Sequence, residues 1–315
     1  MKIKYIAGIG ILCAVLVMSG FFLWQKKIQP HIAAQKAEEI LAAETMLKIG
    51  FVPDWEYDTR KKLQHKLPLQ STAELTKAVD YLNNEYHPDW VIGGGDYIES
   101  SDRKPERAKE LLTEINAIFS RVHAPRAYVL GNHDMRSLSK EEVRSILGME
   151  ENHRIIDTGA WRMVLLDTNF NKDDDSDRNA KQYVLGYVSR AEMEWLDRAL
   201  DTDKPTIMFS HHSPVEGHSG DFILGSNIVN QMEVRAMLEK HPNVALVVSG
   251  HSPASRYVEA NGVHYFIVDT LVHDIALGSF ATLNLSYNPI LKRARITVVQ
   301  LGAKPHAYSA EKFFP

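Results

Sequence analysis

Cysteine is almost absent: Cys13 is the only one in 315 residues. That excludes an intrachain disulfide framework and a cysteine-ligated zinc site, and leaves histidine and carboxylate as the metal-ligating side chains. Basic charge is not in excess either. The 36 Lys and Arg against 40 Asp and Glu give a formal −4, so no broad positive field is on offer and no nucleic-acid partner is expected. A composition of 44% hydrophobic and 24% charged residues excludes disorder as the chain's main character. No internal repeat or interdomain linker is visible. Gly93-Gly94-Gly95 lacks the lysine or helix context of a nucleotide-phosphate cradle, and Ser213 lacks nucleophile-elbow glycines. The acidic stretch 171–177 is not a calcium loop. Counted from Asp173, its sixth position is Arg178, where such a loop needs glycine, so it reads as a solvated loop.

Long apolar runs are also missing, with one exception. Tyr5 to Gln25 carries no charge and is framed by Lys2 and Lys4 on one side and Lys26 and Lys27 on the other. At about 1.5 Å per residue it just spans a hydrocarbon core of roughly 30 Å. A cleaved signal has a shorter apolar core ending at small residues, whereas Ser19-Gly20 is followed here by Phe21-Phe22-Leu23-Trp24. The expectation is an uncleaved signal anchor over 1–27, with a single pass and the main domain extracytoplasmic. Residues 28–47, rich in Ala, Glu and Lys, then suit a helical stalk. The remainder, 48–315, is expected to be one α/β domain. Strands are predicted at 48–53, 89–93, 126–130, 161–167, 205–210 and 244–249, and helices near 72–86, 105–121, 139–147, 190–200 and 228–240. Ser139-x-x-Glu142 and Ser189-x-x-Glu192 read as capping boxes. Asn261-Gly262 marks a hairpin, and two further strands fall within 280–300.

Five of these strands deliver a polar residue at their carboxyl ends: Asp54, Asp96, Asn132, His211 and His251. In α/β sheets that edge is where ligands bind. A single such residue is usually a cap, but five together point to a site.

The series Asp54, Gly95-Asp96, Gly131-Asn132-His133-Asp134, His211 and Gly250-His251 resembles the calcineurin-like metallophosphoesterase family. The resemblance implies two β-sheets packed as a sandwich and flanked by helices. It also implies a binuclear centre at which a metal-bound hydroxide cleaves a phosphate mono- or diester. Asp96 would bridge both ions, with Asn132, His211 and His251 completing the second site and Asp54 in the first. His133 would approach the leaving group, with Glu99 orienting it and raising its pKa, and His212 and His218 are candidates for the phosphate pocket. One or two divalent ions per chain are expected, Mn²⁺ foremost, with Fe²⁺ or Zn²⁺ as alternatives.

Two positions depart from the family. Where its first motif reads Asp-x-His, this chain has Asp54-x-Glu56. Where its last reads Gly-His-x-His, this chain has His251-Ser252-Pro253. Glu56 is a competent replacement ligand, but Pro253 has no side-chain donor. The expected activity is therefore a membrane-anchored, metal-dependent phosphoesterase acting on a small phosphate ester or a phospholipid-like substrate. The alternative is a weak or inactive relative serving as a binding or scaffolding module.

Overall fold

A computed structural model describes residues 29–102, 104–177, 186–215 and 228–315. The run Tyr5–Gln25 and His218 lie outside the described residues, and no described helix is long and apolar enough to cross a membrane. The helix Gln29–Ala42 belongs to a compact unit of its own. That unit also takes in Ala43, Glu44 and 288–291, and Thr45–Tyr287 with Lys292–Pro315 forms a second.

That second unit is built on two six-stranded mixed sheets. The first contains β1 (Thr45–Val52), β2 (Trp90–Gly93), β3 (Arg126–Tyr128), β10 (Phe280–Asn288), β11 (Arg293–Leu301) and β12 (His306–Phe313), in the order β12-β11-β10-β1-β2-β3. The second contains β4 (Arg154–Thr158), β5 (Trp161–Leu166), β6 (Thr206–Ser210), β7 (Val244–Ser249), β8 (Arg256–Ala260) and β9 (Val263–Ile267), in the order β4-β5-β6-β7-β9-β8. β1, β2 and β3 run parallel, as do β5, β6, β7 and β9. β6 and β7 are buried along their whole length, which is why they read as unbroken apolar runs.

The sheets face each other across a core in which Phe51 of β1 stacks on Phe209 of β6, their centroids 5.7 Å apart. Helices Ser71–Tyr81 and Pro105–Phe119 bury Leu75, Val79, Leu112 and Ile115 in a second core that also takes in β2 and β3 residues. Helices Arg190–Leu200 and Gln231–Lys240 do the same for the second sheet through Leu196, Leu200, Val234 and Leu238. Each such side chain contributes about 1.5–3 kcal/mol when fully buried. The layers are thus helix, sheet, sheet, helix, the sandwich that the resemblance implied.

Local signals mostly act as read, with instructive exceptions. Ser139 and Glu142 form a complete capping box. At the second site Ser189 caps Glu192 N, but the Glu192 carboxylate turns away to accept from Asp167 N at 3.1 Å and to meet His153 Nδ1 at 2.7 Å. Buried partners thus outcompete the box. Asn261 and Gly262 both take positive φ, 49° and 76°, and join β8 to β9 as that dipeptide should. The helix predicted over 72–86 ends at Tyr81 and continues as one π-helical turn, Leu82–Tyr86. The strand start differs as well. Thr45–Leu47, read as the end of the stalk, pair with Leu285–Tyr287 as the beginning of β1. β4 and β12 escaped prediction because most of their residues are not buried, so neither carries a hydrophobic period.

Candidate active site

The carboxyl ends of β1, β2, β3, β6 and β7 lie along one rim of the two sheets, and there the chain sets Asp54, Asp96, Asn132, His211 and His251. The backbone pays for this placement. Asp54 (φ 52°), Glu56 (φ 43°), Asp96 (φ 52°) and His251 (φ 65°) all sit in the left-handed region, which costs a non-glycine residue about 1–3 kcal/mol. The glycines before the polar residues let these loops meet. A Cβ on Gly131 would fall on the backbone nitrogen of Asp96, and one on Gly250 would lie 2.6 Å from Asp54 Oδ2. Asp134, fully buried, locks the β2 and β3 loops together. Its carboxylate accepts from Gly131 N and Asp96 N (3.1 Å each), Tyr97 N (2.8 Å) and Ile98 N (3.3 Å).

Three potential ligand atoms surround the Nε2 of His211. His211 Nε2 lies 3.1 Å from Asn132 Oδ1, 3.2 Å from Asp96 Oδ2 and 3.0 Å from His251 Nδ1. The other ring nitrogen, Nδ1, donates to Gly94 O at 2.9 Å, which leaves Nε2 facing the cluster. Ligands about 2.1 Å from a common ion stand about 3.0 Å apart at right angles, so each of these three separations is one that His211 and a co-ligand of a divalent metal would take. Asn132 Nδ2 is buried without a hydrogen-bond partner, so the amide is held through its oxygen side. His212 is buried beside them, its Nδ1 2.7 Å from Thr168 Oγ1, and it groups with His211 and His251.

The second set of candidate ligands is arranged differently. Asp54 groups with Asp96 and His211, and its carboxylate accepts from His251 N at 2.9 and 3.1 Å. Glu56 instead groups with Glu99 and His133, and its Oε1 carries the ammonium of Lys66 in a close ion pair. His133 Nδ1 pairs with Glu99 Oε2 at 2.9 Å. Its Nε2 lies 3.7 Å from Asp96 Oδ2 and 2.9 Å from Arg136 Nη2, which as a guanidinium can only donate. Arg136 Nη1 also holds Glu99 Oε1 at 3.0 Å. Beside this group opens a cavity of about 550 Å³ whose lining includes Lys66, His133, Arg136, His251, Pro253 and His273.

Charge balance follows from these contacts. Burial alone would raise Asp96, but the His133 and His211 rings hold it well below the usual carboxylate range. Burial pushes Asp54 well up; His211 opposes this while Asp96 and Glu56 add to it. Glu99 would likewise rise on burial, yet His133, Lys66 and Arg136 bring it down to about 2. Burial would lower His211, but Asp96 and Asp54 raise it to about 9, so a metal entering here must displace a proton. Burial also disfavours a charged Lys66, and Glu56 and Glu99 overcome that and raise its pKa.

Lys66 and Arg136 were not singled out from the sequence. Arg136 was findable: the 3₁₀ turn Asp134–Arg136 after His133 puts residues three apart on one side. Lys66 carries no such signal, since it sits in an aperiodic segment. The aromatics after the site residues belong to the core. Trp55 and Tyr97 are fully buried with centroids 4.5 Å apart, and Tyr97 donates to Val129 O at 2.6 Å.

Known proteins resemble this chain. Residues 47–255 match the family described as calcineurin-like phosphoesterase. A 3',5'-cyclic-nucleotide phosphodiesterase of Nostoc is 28% identical over 199 residues, covering 62% of this chain and 68% of that protein. A manganese-dependent ADP-ribose/CDP-alcohol diphosphatase of Arabidopsis thaliana is 24% identical over 273 residues, covering 71% of this chain and 86% of that protein. The crystal structure of a dimetal phosphatase from Danio rerio superposes with a TM-score of 0.64, over 85% of this chain and 99% of that one; at 16% identity it shows the shared fold. With the family match running through every strand end that builds the rim, the chain belongs to the calcineurin-like phosphoesterase family of metal-dependent phosphoric ester hydrolases.

Proposed function

We propose that the protein hydrolyses a small phosphodiester or pyrophosphate, of the nucleotide-derived kind named for its relatives, with Mn²⁺ as the preferred ion. The reading is carried by the convergence of Asn132, Asp96 and His251 on His211 Nε2 at 3.0–3.2 Å. In it Asp96, Asn132, His211 and His251 hold the ion, and Asp54 lies beside them through its bond to His251 N. A divalent ion there supplies Lewis acidity toward phosphate oxygens and acidifies water. The protein supplies the rest. His133 stands at the cavity wall with Nδ1 held by Glu99 and Nε2 beside Arg136 Nη2, so Nε2 is the nitrogen that meets the leaving-group oxygen once Arg136 gives way to substrate. The Glu99 carboxylate, itself pinned by Arg136, keeps the ring in that orientation and stabilises it when it carries a second proton.

The purified full-length chain loaded with Mn²⁺ is expected to cleave at least one of bis(p-nitrophenyl) phosphate, a cyclic nucleotide or ADP-ribose. His251→Ala should lose bound manganese, and its rate should fall by about 100-fold or more. His133→Asn should lower kcat by about 100-fold while metal content stays at the wild-type value. Loaded wild-type protein that cleaves none of the three substrates would sink the reading.

The anchoring of this domain is part of the same proposal. Tyr5–Gln25 serves as a single-pass anchor within 1–27, and the residues between it and β1 as a stalk, with the domain that begins at Thr45 held outside the cytoplasm. On cell fractionation the full chain should sediment with membranes and be digested by protease added outside, and a chain starting at residue 29 should be released. Full-length protein recovered in the soluble fraction would contradict the anchor.

A further inference from the structure

The residues opposite the His211 cluster, Glu56, Glu99 and His133, bring side-chain atoms within 4.8 Å of one another but already hold a cation of the protein's own, the Lys66 ammonium. Pro253 offers no side-chain donor at the cavity wall, and the Glu56 carboxylate is engaged by Lys66. Resting on the phosphoesterase reading above, we propose that the chain binds one divalent ion, at the His211 cluster, and that the Lys66 ammonium provides the second positive charge that grips the substrate phosphate.

The backbone commits Lys66 to this place. Leu63 and Lys66 exchange both of their backbone hydrogen bonds at 2.9 Å, closing a tight turn with Gln64 at φ 53°. That turn is tied to a neighbouring loop by Leu67 N donating to Val272 O and Asp274 N donating to His65 O, each at 2.9 Å. The side chain therefore leaves from a fixed point. It runs mostly covered, with 26% of its surface exposed, to an ammonium between Glu56 and Glu99, the latter at 3.4 Å. The head group borders the same cavity as His133 and His251. Its remaining N–H donor suits a phosphate's non-bridging oxygen, and as a compact point charge an ammonium meets developing negative charge as a metal does, though with half the charge. A divalent ion added beside Glu56 would face this ammonium at close range in a buried setting, where like charges repel strongly. Glu56 and Glu99 are then positioning residues: they hold the ammonium and have no ion to ligate.

The test uses the full-length chain, loaded with Mn²⁺ and desalted, with manganese per chain read by elemental analysis and inorganic phosphate binding read by calorimetry. One ion per chain is expected in the wild type, in Lys66→Met and in Lys66→Arg. Phosphate affinity should fall by about tenfold or more in the methionine variant and stay within about threefold in the arginine variant. Two ions in the wild type would overturn the proposal and leave the phosphoesterase reading standing. So would a methionine variant that holds its ion and binds phosphate as the wild type does. No ion in the wild type would remove both. The wild-type stoichiometry needs no substitution, so the proposal stays open to refutation even if Lys66→Met does not fold.

Discussion

Replacing Gly131 by alanine is expected to cost the enzyme at least about 100-fold in manganese-dependent turnover, although residue 131 has no side chain to take part. The added Cβ would fall on the backbone nitrogen and the carboxylate of Asp96, the residue that touches both the His211 cluster and His133. Neither atom can yield cheaply. The nitrogen is held by Asp134, and the carboxylate accepts from His133 N at 2.7 Å. Relief means moving the whole β2 loop, and displacements near 1 Å at a reacting centre cost on the order of 100-fold. Manganese content should fall along with the rate, and the far-ultraviolet spectrum should not change. A Gly131→Ala protein with full metal content and a rate within tenfold of wild type would show that the loop adapts.

Asp134→Ala is expected to lower folding stability by about 3 kcal/mol or more, because each buried donor left unsatisfied costs about 1–3 kcal/mol. The loss is large because one carboxylate serves four backbone N–H groups, from Gly131, Asp96, Tyr97 and Ile98, none of which has water at hand in a fully buried setting. Asp134→Asn keeps the shape but turns an N–H₂ toward donors, so it should recover only part of the loss. Denaturant midpoints with an unchanged slope would measure both. A loss under about 1 kcal/mol for the alanine variant would mean that the two loops are held by something other than this carboxylate.

The rim was legible before the fold because strand ends are. A run such as VALVVS stops where its apolar period stops, and the residue that follows is then at an edge, whatever the neighbouring strands turn out to be. Which strands lie side by side was not legible. β1 sits between β2 and β10, a partner more than 200 residues away, and nothing local in either segment announces the other. Strands that lie mostly outside the core left no trace either, as β4 and β12 illustrate. Within the site the same division holds. Asp54, Asp96, Asn132, His211 and His251 advertise themselves through glycine and strand context. Glu56 was expected as a ligand because its position in a motif was visible, whereas the ammonium that engages it comes from a turn ten residues on. Partnership between side chains is a property of three dimensions, and the sequence shows only one of the two partners.

The left-handed backbone at Asp54, Asp96 and His251 sets stability against chemistry at the same three positions. Glycine would occupy those conformations at almost no cost, so the residues that improve the fold there are the ones that delete the ligands. Selection for heat resistance alone, in the laboratory or in a lineage that no longer needs the activity, would therefore erode the rim first. A relative carrying glycine at these positions on an otherwise intact scaffold is the signature such drift would leave.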